Sequence, residues 1–203
     1  MTAGPTREAI DPVRYISNHS SGKMGYAIAK AAQELGAQVT LISGPVSLTT
    51  PHNVNRIDVV SAAQMHQQTL SIASQHDIFI ACAAVADYRP VAVESEKIKK
   101  HDQQMQITLI KNPDIISQIA ALKQRPIVVG FAAETQQIVE HGRDKLQRKN
   151  LDILFANNAT ETFNSDDIQV TALTKHSEQE IGPANKASVA RTMLQMIATY
   201  TAD

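Results

Sequence analysis

Residues Asp77–Ala83 (DIFIACA) form a short, almost uninterrupted apolar run near the middle of the 203-residue chain. The same signature returns at Pro126–Phe131 (PIVVGF) and Leu151–Ala156 (LDILFA), and β-prone runs precede it at Gln38–Ser43 and Asn55–Val60. Short apolar runs of this kind are typical of strands that are buried on both faces. Such strands must be covered by helices on both sides, so these runs predict a parallel sheet in an α/β domain.

Longer stretches with helical character separate these runs. They occupy Gly22–Leu35, Ala62–Gln75, Pro113–Leu122, Gln136–Arg148 and Ala184–Tyr200. Pro113 and Pro183 are expected in the first turns of their helices, where proline is tolerated. The alternation of strands and helices along residues 1–203 predicts a single Rossmann-like, doubly wound α/β domain with a mainly parallel sheet.

Two loops depart from this alternation. Tyr88–Gln104 is polar and rich in lysine, and Asn157–Asp167 is rich in turn-forming residues. A long irregular stretch inside a compact domain is usually functional or disordered. The segments that follow these loops, Met105–Ile110 and Gln169–Thr174, alternate apolar with polar residues. They predict a small antiparallel extension, either at the sheet edge or against a partner subunit in a dimer.

The beginning of the chain is unusual for this fold. Thr2–Thr6 (TAGPT) has the character of a turn that follows a first strand, but almost no strand precedes it. A parallel sheet without its first strand would lose central pairing. We therefore expect a truncated first strand in a chain that is a piece of a longer protein.

The composition excludes several classes of protein. Hydrophobic residues make up 43% of the chain and charged residues 19%, which is far from the composition of disordered proteins. The net charge of −1 argues against bulk electrostatic capture of nucleic acid. No apolar run approaches the ~20 residues that span a bilayer, and the first residues lack the pattern of a signal peptide. Cys82 is the only cysteine, which excludes an internal disulfide and favours a reducing cytoplasm.

Two segments have the composition of phosphate- or nucleotide-binding elements. Ser20–Gly25 (SSGKMG) opens the first helix, where free backbone N–H groups suit a phosphate. A plain helix start with Ser20 or Ser21 as the N-cap is the alternative. Ala81–Tyr88 (ACAAVADY) leaves a buried strand at its carboxyl end, where small residues let a ring or phosphate approach the backbone. A tight turn with a solvated Asp87 explains that segment equally well.

Clustered basic residues occur in two places. Lys97–Lys100 (KIKK) lies in the lysine-rich loop, which could close over a polyphosphate and neutralise it. Solvated surface lysines are the alternative. Lys145 and Lys149 lie four residues apart on one helix face and form a basic patch with Arg143 and Arg148. For this patch, charge alone favours a solvated helix face.

Other catalytic patterns are absent from the sequence. Neither GxxxxGK[ST] nor GxGxxG occurs, no histidines have the spacing of a metal site, and there is no GxSxG motif. Cys82 lies in an apolar strand and is interpreted as a small buried hydrophobe. Tyr26 and Lys30 match the Tyr-x-x-x-Lys spacing of short-chain dehydrogenases, but they lie in the first helix and are interpreted as ordinary helix positions.

Taken together, several segments resemble bacterial phosphopantothenoylcysteine synthetase, in the expected order and over nearly the whole chain. They are Thr2–Asn18, His19–Gly25 (HSSGKMG), Ala83–Tyr88 (AAVADY), Lys97–Lys100, Lys111–Asp114 (KNPD), Val129–Glu134 (VGFAAE) and Arg148–Leu151 (RKNL). This family is the synthetase half of a bifunctional coenzyme A biosynthesis protein. The other half is a flavin-dependent decarboxylase, and the sequence has no segment that resembles it. The chain is therefore expected to be an excised synthetase domain or a stand-alone version.

The resemblance implies a cytoplasmic, homodimeric ligase with a Rossmann-like fold. It implies that 4′-phosphopantothenate attacks the α-phosphate of CTP, with Mg²⁺ assisting, to form an acyl cytidylate and pyrophosphate. L-Cysteine then displaces CMP to give 4′-phosphopantothenoylcysteine. No flavin is implied for this half. Both steps call for positioned donors and cations rather than a covalent nucleophile.

The resemblance also implies roles for individual residues. Asn18 matches the residue that converts the acyl cytidylate to product, and Lys97 opens the K-x-K-K motif that is tied to cytidylate formation. Ser20, Ser21 and Gly22 fall where family members cradle a phosphate. The CTP-contacting positions of the family fall on Ala81, Cys82, Ala83, Asp87, Lys97, Pro113, Asp114, Ile115, Ile116, Phe131, Lys145 and Lys149.

Two other functions stay open at this stage. A short-chain-type NAD(P) oxidoreductase predicts an absorbance change with NADPH. A non-catalytic nucleotide-binding module predicts CTP binding without release of pyrophosphate.

Overall fold

The computed structural model of the chain describes residues 1–99, 103–134, 136–158 and 167–202. Numbered along the chain, the strands of the main sheet are β1 Thr2–Ala3, β4 Val39–Ser43, β5 Val54–Asp58, β6 Ile78–Ala81, β9 Ile127–Glu134, β10 Ile153–Asn158, β11 Asp167–Thr174 and β12 Glu178–Asn185. Two hairpins lie outside this sheet, β2 Arg7–Ala9 with β3 Tyr15–Ser17, and β7 Tyr88–Pro90 with β8 Leu109–Lys111. The helices are α1 Lys23–Glu34, α2 Ala62–Ile72, α3 Ile115–Ala120, α4 Ile138–Arg148 and α5 Lys186–Ala202.

The main sheet has eight strands in the order β12-β11-β10-β9-β6-β1-β4-β5. In this sheet order, every pair of neighbouring strands between β10 and β5 is parallel. Numbered among themselves, these parallel strands follow the order 3-2-1-4-5-6 of doubly wound dinucleotide-binding folds. The predicted Rossmann-like architecture is therefore confirmed, and the strand order reverses between β1 and β6.

Helices cover both faces of the sheet. On one face α1 packs against α5, and Ile28 and Met193 from these helices are buried with Phe155 of β10. On the other face lie α2, α3 and α4, where Leu146 is buried with Leu154 of β10. Neighbouring residues of a strand point to opposite faces, so β10 contributes to both cores. None of the helices in the described ranges is long and apolar enough to cross a membrane.

The first strand is short but present. Thr2 pairs with Ile42 of β4 and with Ala81 of β6, so β1 lies between these strands and joins the two halves of the sheet. The interpretation of Thr2–Thr6 as a turn is therefore wrong for Thr2 and Ala3, which form a strand and keep the central pairing. Two residues suffice because α1 lies directly over them: a Cβ on Gly25 would be 2.5 Å from the Cβ of Ala3.

The far edge of the sheet is antiparallel. The predicted antiparallel extension at the sheet edge, with a strand at Gln169–Thr174, is confirmed by β11, which pairs with β10 and with the edge strand β12. Strand β12 was not predicted, and Pro183 lies within it rather than in a helix. Proline is tolerated there because an edge strand has N–H groups that need no partner in the sheet. Pro113 also lies outside a helix, one residue before Asp114, the N-cap of α3.

The two hairpins lie near the carboxyl ends of the central strands and contact each other through β2 and β7. Most of the strand predicted at Met105–Ile110 is wrong, since strand structure begins only at Leu109 and pairs with Tyr88–Pro90. In the predicted turn-rich loop at 157–167, Asn157 belongs to the end of β10 and Asp167 begins β11. Residues 159–166 of that loop lie outside the described residues, as does Lys100 of the lysine cluster.

Candidate active site

A cleft of about 570 Å³ opens at the carboxyl ends of β6 and β9. In open α/β sheets, ligands bind outside the carboxyl ends of the strands near the point where the strand order reverses. This cleft lies beside that point, and its volume is in the range of small-molecule sites. Its walls come from the loop after β6, the start of α3 and the end of α4.

Small residues form the floor of the cleft. Ala81, Ala83 and Gly130 line it, with Phe131 as a larger apolar neighbour. A Cβ on Gly130 would be 2.7 Å from Cδ1 of Leu154, so a larger residue there would displace that side chain. Such a floor admits a flat ring or a phosphate close to the backbone.

Cys82 lies between two of these alanines but does not line the cleft. Alternate side chains of an extended segment point to opposite sides, and Cys82 packs against the core beneath α1 and α5. Burial raises the pKa of its thiol to about 12, so the thiol is protonated at neutral pH. Only the backbone of Cys82 is close to the cleft region, with its N–H donating to the carbonyl of Thr2 at 3.3 Å.

The loop after β6 is held by polar side chains from distant segments. The Thr6 hydroxyl accepts from the N–H of Ala86 at 3.0 Å, and the Asn112 amide donates to the carbonyl of Ala86 at 2.8 Å. The N–H of Asn112 also donates to the carbonyl of Asp87 at 2.8 Å. These bonds place Asp87 at the cleft. Asn18 donates from its amide to the carbonyl of Val85 at 3.1 Å, so it contacts the same loop without lining the cleft.

One wall of the cleft is basic. Lys145, Arg148 and Lys149 line it, whereas Arg143 pairs with Glu178 at 2.9 Å. The Lys149 ammonium is 2.9 Å from the carboxylate of Asp114, and only 18% of the Lys149 side chain is exposed. The interpretation of this patch as a solvated helix face is therefore wrong for Lys149.

Asp114 is both the partner of Lys149 and the N-cap of α3. Its carboxylate accepts from the N–H of Ser117 at 3.2 Å. Partial burial alone would raise the pKa of the Asp114 carboxyl. The bonds from Lys149 and Ser117 outweigh burial, and the pKa of Asp114 lies below its usual value.

The start of α1 differs from the predicted serine cap. Gly22 is the N-cap, with φ of 75°, and no side chain caps the helix. The hydroxyls of Ser20 and Ser21 accept instead from the N–H groups of Gly22 and Lys23, at 3.3 and 3.4 Å. A Cβ on Gly22 would be 3.5 Å from Cα of Gly4, so this turn lies against the loop that follows β1.

Lys97 is exposed and does not line the cleft. Its neighbour Ile98 is held by Asp11 and Arg14 on the turn between β2 and β3. The structure therefore brings together most of the predicted nucleotide positions but leaves Lys97 and the Cys82 side chain outside. The predicted nucleotide positions that line the cleft are Ala81, Ala83, Asp87, Pro113, Asp114, Ile115, Ile116, Phe131, Lys145 and Lys149.

Residues 1–200 match the family described as "DNA/pantothenate metabolism flavoprotein C-terminal domain". The chain belongs to this family. It is 53% identical to the coenzyme A biosynthesis bifunctional protein CoaBC of Vibrio vulnificus (strain YJ016), over 98% of the chain and 51% of that protein. It is 54% identical to CoaBC of Haemophilus influenzae (strain Rd), over 97% of the chain and 50% of that protein. The chain thus spans about half the length of these curated relatives.

A solved structure matches the fold of this family member along its whole length. The crystal structure of the C-terminal domain of CoaBC superposes with a TM-score of 0.86 and 39% sequence identity. The match covers 100% of this chain and 94% of that chain. The family assignment from sequence is therefore confirmed by fold as well as by identity.

Tyr26 and Lys30 do not form the site that the oxidoreductase alternative needs. Tyr26 is buried, and its hydroxyl is 3.0 Å from the hydroxyl of Ser43. Lys30 is exposed and lies 3.8 Å from Glu34. Tyr26 therefore acts in packing, and the Tyr-x-x-x-Lys spacing is a coincidence of helix sequence.

Several residues that shape the site were missed by sequence analysis. Thr6 and Asn112 fix the cleft loop through contacts with residues more than 25 positions away in sequence. Glu8 is buried and accepts from the N–H of Ala62 at 2.9 Å, so it occupies the N-terminus of α2. The signal for all three was their place inside segments that carry the resemblance: Thr6 and Glu8 lie in Thr2–Asn18, and Asn112 lies in the KNPD motif.

Proposed function

We propose that this domain ligates 4′-phosphopantothenate to L-cysteine, using CTP and passing through an acyl cytidylate. The observation that carries the proposal is the cleft, which combines a floor of small residues with a basic wall at the ligand-binding edge of the sheet. Membership of the family and the match to the C-terminal half of CoaBC support this choice of substrates. Residues 1–203 would constitute one ligase domain, with the decarboxylase on a separate or fused domain.

The first half-reaction joins a carboxylate oxygen of 4′-phosphopantothenate to the α-phosphorus of CTP and releases pyrophosphate. Negative charge increases on the phosphate oxygens that leave, so the step needs cations held in place. Lys145 and Lys149 line the cleft wall and are proposed to contact these phosphates. A phosphate would either replace the Asp114 carboxylate as the anionic partner of Lys149 or bind Lys149 together with that carboxylate. Lys97 is proposed to act in the same step.

In the second half-reaction the amine of cysteine attacks the acyl carbonyl carbon, the C–O bond to the cytidylate breaks and CMP leaves. Charge develops on the carbonyl oxygen, where an amide donor stabilises it. We assign this donor to Asn18, whose side-chain amide already faces the loop after β6 through its bond to Val85. Ser20, Ser21 and Gly22 at the start of α1 are proposed to hold the phosphate of 4′-phosphopantothenate.

The donor groups at the cleft fit Mg²⁺ that arrives with CTP. Mg²⁺ keeps several waters and is commonly held by one or two carboxylates together with substrate phosphates. Within the described ranges no group of three His, Cys, Asp or Glu side chains forms a metal site, whereas Asp87 brings a carboxylate to the cleft. Asp87 would hold the ion, which would neutralise phosphate charge. We propose that the domain needs no flavin and works in the cytoplasm.

We propose that the working unit is a homodimer. Large apolar side chains are exposed on the β7–β8 hairpin and the segments beside it: Tyr88, Val91, Val93, Met105, Leu109 and Ile110. Contiguous exposed apolar residues of this kind mark an association surface. A two-fold axis would bury the same surface on both subunits.

Release of pyrophosphate from CTP tests the proposed function. We expect release only when 4′-phosphopantothenate is present, and conversion to CMP and phosphopantothenoylcysteine only after L-cysteine is added. Binding of CTP without release of pyrophosphate would support the non-catalytic module instead. A change in NADPH absorbance with a carbonyl or alcohol substrate would support the oxidoreductase.

A further inference from the structure

Asp11 is a buried carboxylate on the turn between β2 and β3 whose role the proposed reaction does not use. Its side chain is fully buried. One oxygen accepts from the N–H groups of Val13 and Arg14, both at 2.8 Å. The other accepts from Nε and Nη2 of the Arg14 guanidinium, at 3.0 and 2.6 Å. The turn Asp11–Arg14 is therefore closed by a charged side-chain pair.

The same pair reaches a segment more than 80 residues away in sequence. The N–H of Ile98 donates to Asp11 Oδ2 at 3.1 Å, and Arg14 Nη2 donates to the carbonyl of Ile98 at 3.1 Å. Both backbone groups of one residue are thus held by one ion pair. A second anchor lies four residues earlier, where the N–H of Glu94 donates to the carbonyl of Ile10 at 3.0 Å. Ile98 lies directly between Lys97 and Lys99.

The carboxylate is suited to this role by its charge. A buried carboxylate is unfavourable unless it is paired and hydrogen-bonded, and Arg14 supplies the pairing. Arg14, with the N–H groups of Val13, Ile98 and Arg14, holds the pKa of the Asp11 carboxyl far below its usual range. Asp11 is therefore ionised at neutral pH and accepts from all its donors at once. An asparagine would place an NH₂ group where one oxygen now accepts.

The β2–β3 hairpin also leads directly to Asn18. Strand β3 ends at Ser17, whose hydroxyl donates to the carbonyl of Thr6 at 2.7 Å, and the Arg7 guanidinium lies 4.7 Å from the centre of the Tyr15 ring. These contacts tie the two strands of the hairpin together. One small hairpin therefore connects the residue assigned to the second half-reaction with the segment that carries Lys97.

We propose that Asp11 is a positioning residue, which fixes the backbone at Ile98 and thereby holds Lys97 for cytidylate formation. The proposal rests on the proposed function for the role of Lys97. It does not place Asp11 in contact with substrate. Small displacements of a reacting group can lower a rate by roughly 100-fold, so an anchor of this kind has a measurable effect.

The test compares Asp11→Asn with the matched control Asp152→Asn. Asp152 makes the same kind of pair with Arg125 at 2.7 Å and also accepts from the N–H of Val128, but it lies at the amino-terminal end of β10 and does not line the cleft. We expect Asp11→Asn to slow pyrophosphate release without cysteine by roughly 10- to 100-fold, with the Kd for CTP within about twofold of wild type. Asp152→Asn should leave that rate unchanged. In a Lys97→Gln background, Asp11→Asn should cause no further loss.

Amide exchange followed by NMR tests the anchor itself. We expect the Ile98 amide to exchange about tenfold faster in Asp11→Asn than in Asp152→Asn. A wild-type rate of pyrophosphate release in Asp11→Asn overturns the proposal. A loss of that rate that adds to the loss in Lys97→Gln overturns it as well. If Lys97→Gln releases pyrophosphate at the wild-type rate, Asp11 does not act through Lys97 and the proposal is wrong. A wild-type chain that releases no pyrophosphate refutes the proposed function instead, and unchanged Ile98 exchange in Asp11→Asn would then refute the anchor.

Discussion

At the scale of single residues, the cleft contains its own counter-ion. Lys149 is mostly buried, and a buried cation is unfavourable without an anion nearby. Asp114 supplies that anion at 2.9 Å and also caps α3, so the basic wall is ordered before a substrate arrives. A phosphate that binds at this position joins an existing pair and does not need to order a free side chain.

Replacing Lys149 by Gln tests this wall. The change removes a charge-assisted contact with phosphate, so we expect CTP binding to weaken by about 1–3 kcal/mol, roughly 5- to 150-fold in Kd. Isothermal titration calorimetry measures it. Lys123→Gln is the matched control, because Lys123 is exposed and lies outside the cleft. Equal CTP affinity in both variants would contradict a phosphate role for Lys149.

The Asp114–Lys149 pair also predicts a pH dependence of stability. The folded-state pKa of Asp114 is depressed, so its contribution is present above the unfolded pKa of about 3.9 and is lost as pH falls through the folded pKa. Asp114→Asn keeps an N-cap while removing the charge. We expect wild type to exceed this variant by less than about 1 kcal/mol at pH 7, since Asp114 is half-exposed. Urea unfolding should show the difference shrinking below pH 4, and a difference that grows on acidification would refute the assignment.

Asn18→Ala separates the two half-reactions. Loss of the amide donor should leave pyrophosphate release close to wild type but slow amide formation by roughly 10²- to 10³-fold. Mass spectrometry should then detect acyl cytidylate in the presence of cysteine. The control is Asn55→Ala, at an exposed position on the edge strand β5. A collapse of pyrophosphate release in Asn18→Ala would move Asn18 to the first step.

At the scale of elements, the short strand β1 depends on close packing by α1. A Cβ at Gly25 would be 2.5 Å from the Cβ of Ala3, and both the helix and the central strand would have to move apart. Because β1 links β4 with β6, this displacement would reach the middle of the sheet. The loop after β1 carries Thr6, which holds the cleft loop, so stability and site geometry are coupled here.

We expect Gly25→Ala to lower the free energy of unfolding by about 1–3 kcal/mol, the usual effect of overpacking. This occurs although alanine is the better helix former, so the sign distinguishes packing from helix propensity. Lys30→Ala, on the exposed face of the same helix, should change stability by less than about 0.5 kcal/mol. Chemical denaturation measures both variants. Greater stability in Gly25→Ala would show that α1 does not press on β1.

At the scale of the whole molecule, the exposed apolar surface around the β7–β8 hairpin predicts a dimer. Leu109→Asp places a charge in this surface, so we expect dissociation of the dimer and lower ligase activity. Sedimentation velocity reads the oligomeric state. Leu35→Asp is the control, since Leu35 is 61% exposed at the end of α1 and lies outside this surface. A wild-type chain that is monomeric at micromolar concentration and fully active would refute the dimer.

Local sequence patterns were enough to predict the layers of the fold and the family. Strands buried on both faces are visible as apolar runs, as at Asp77–Ala83, because burial acts on each residue where it stands. The family motifs likewise lie in continuous segments, and ten of the site residues predicted from the resemblance line the cleft. Its weakest predictions were at edges: Met105–Ile110 was mostly wrong and β12 was missed, since an edge strand can be exposed on several sides.

Contacts between residues that are distant in sequence could not be predicted from local patterns. No local pattern connects Asp11 with Ile98, 87 positions later, or Thr6 with Ala86, 80 positions later. Their pairing follows from strand order, which brings the loops after β1 and β6 together at one edge of the sheet. The same geometry turned Cys82 away from the cleft and paired Lys149 with Asp114. Sequence periodicity determines which face a residue takes within its own element, but contacts between elements depend on how the elements are ordered in space.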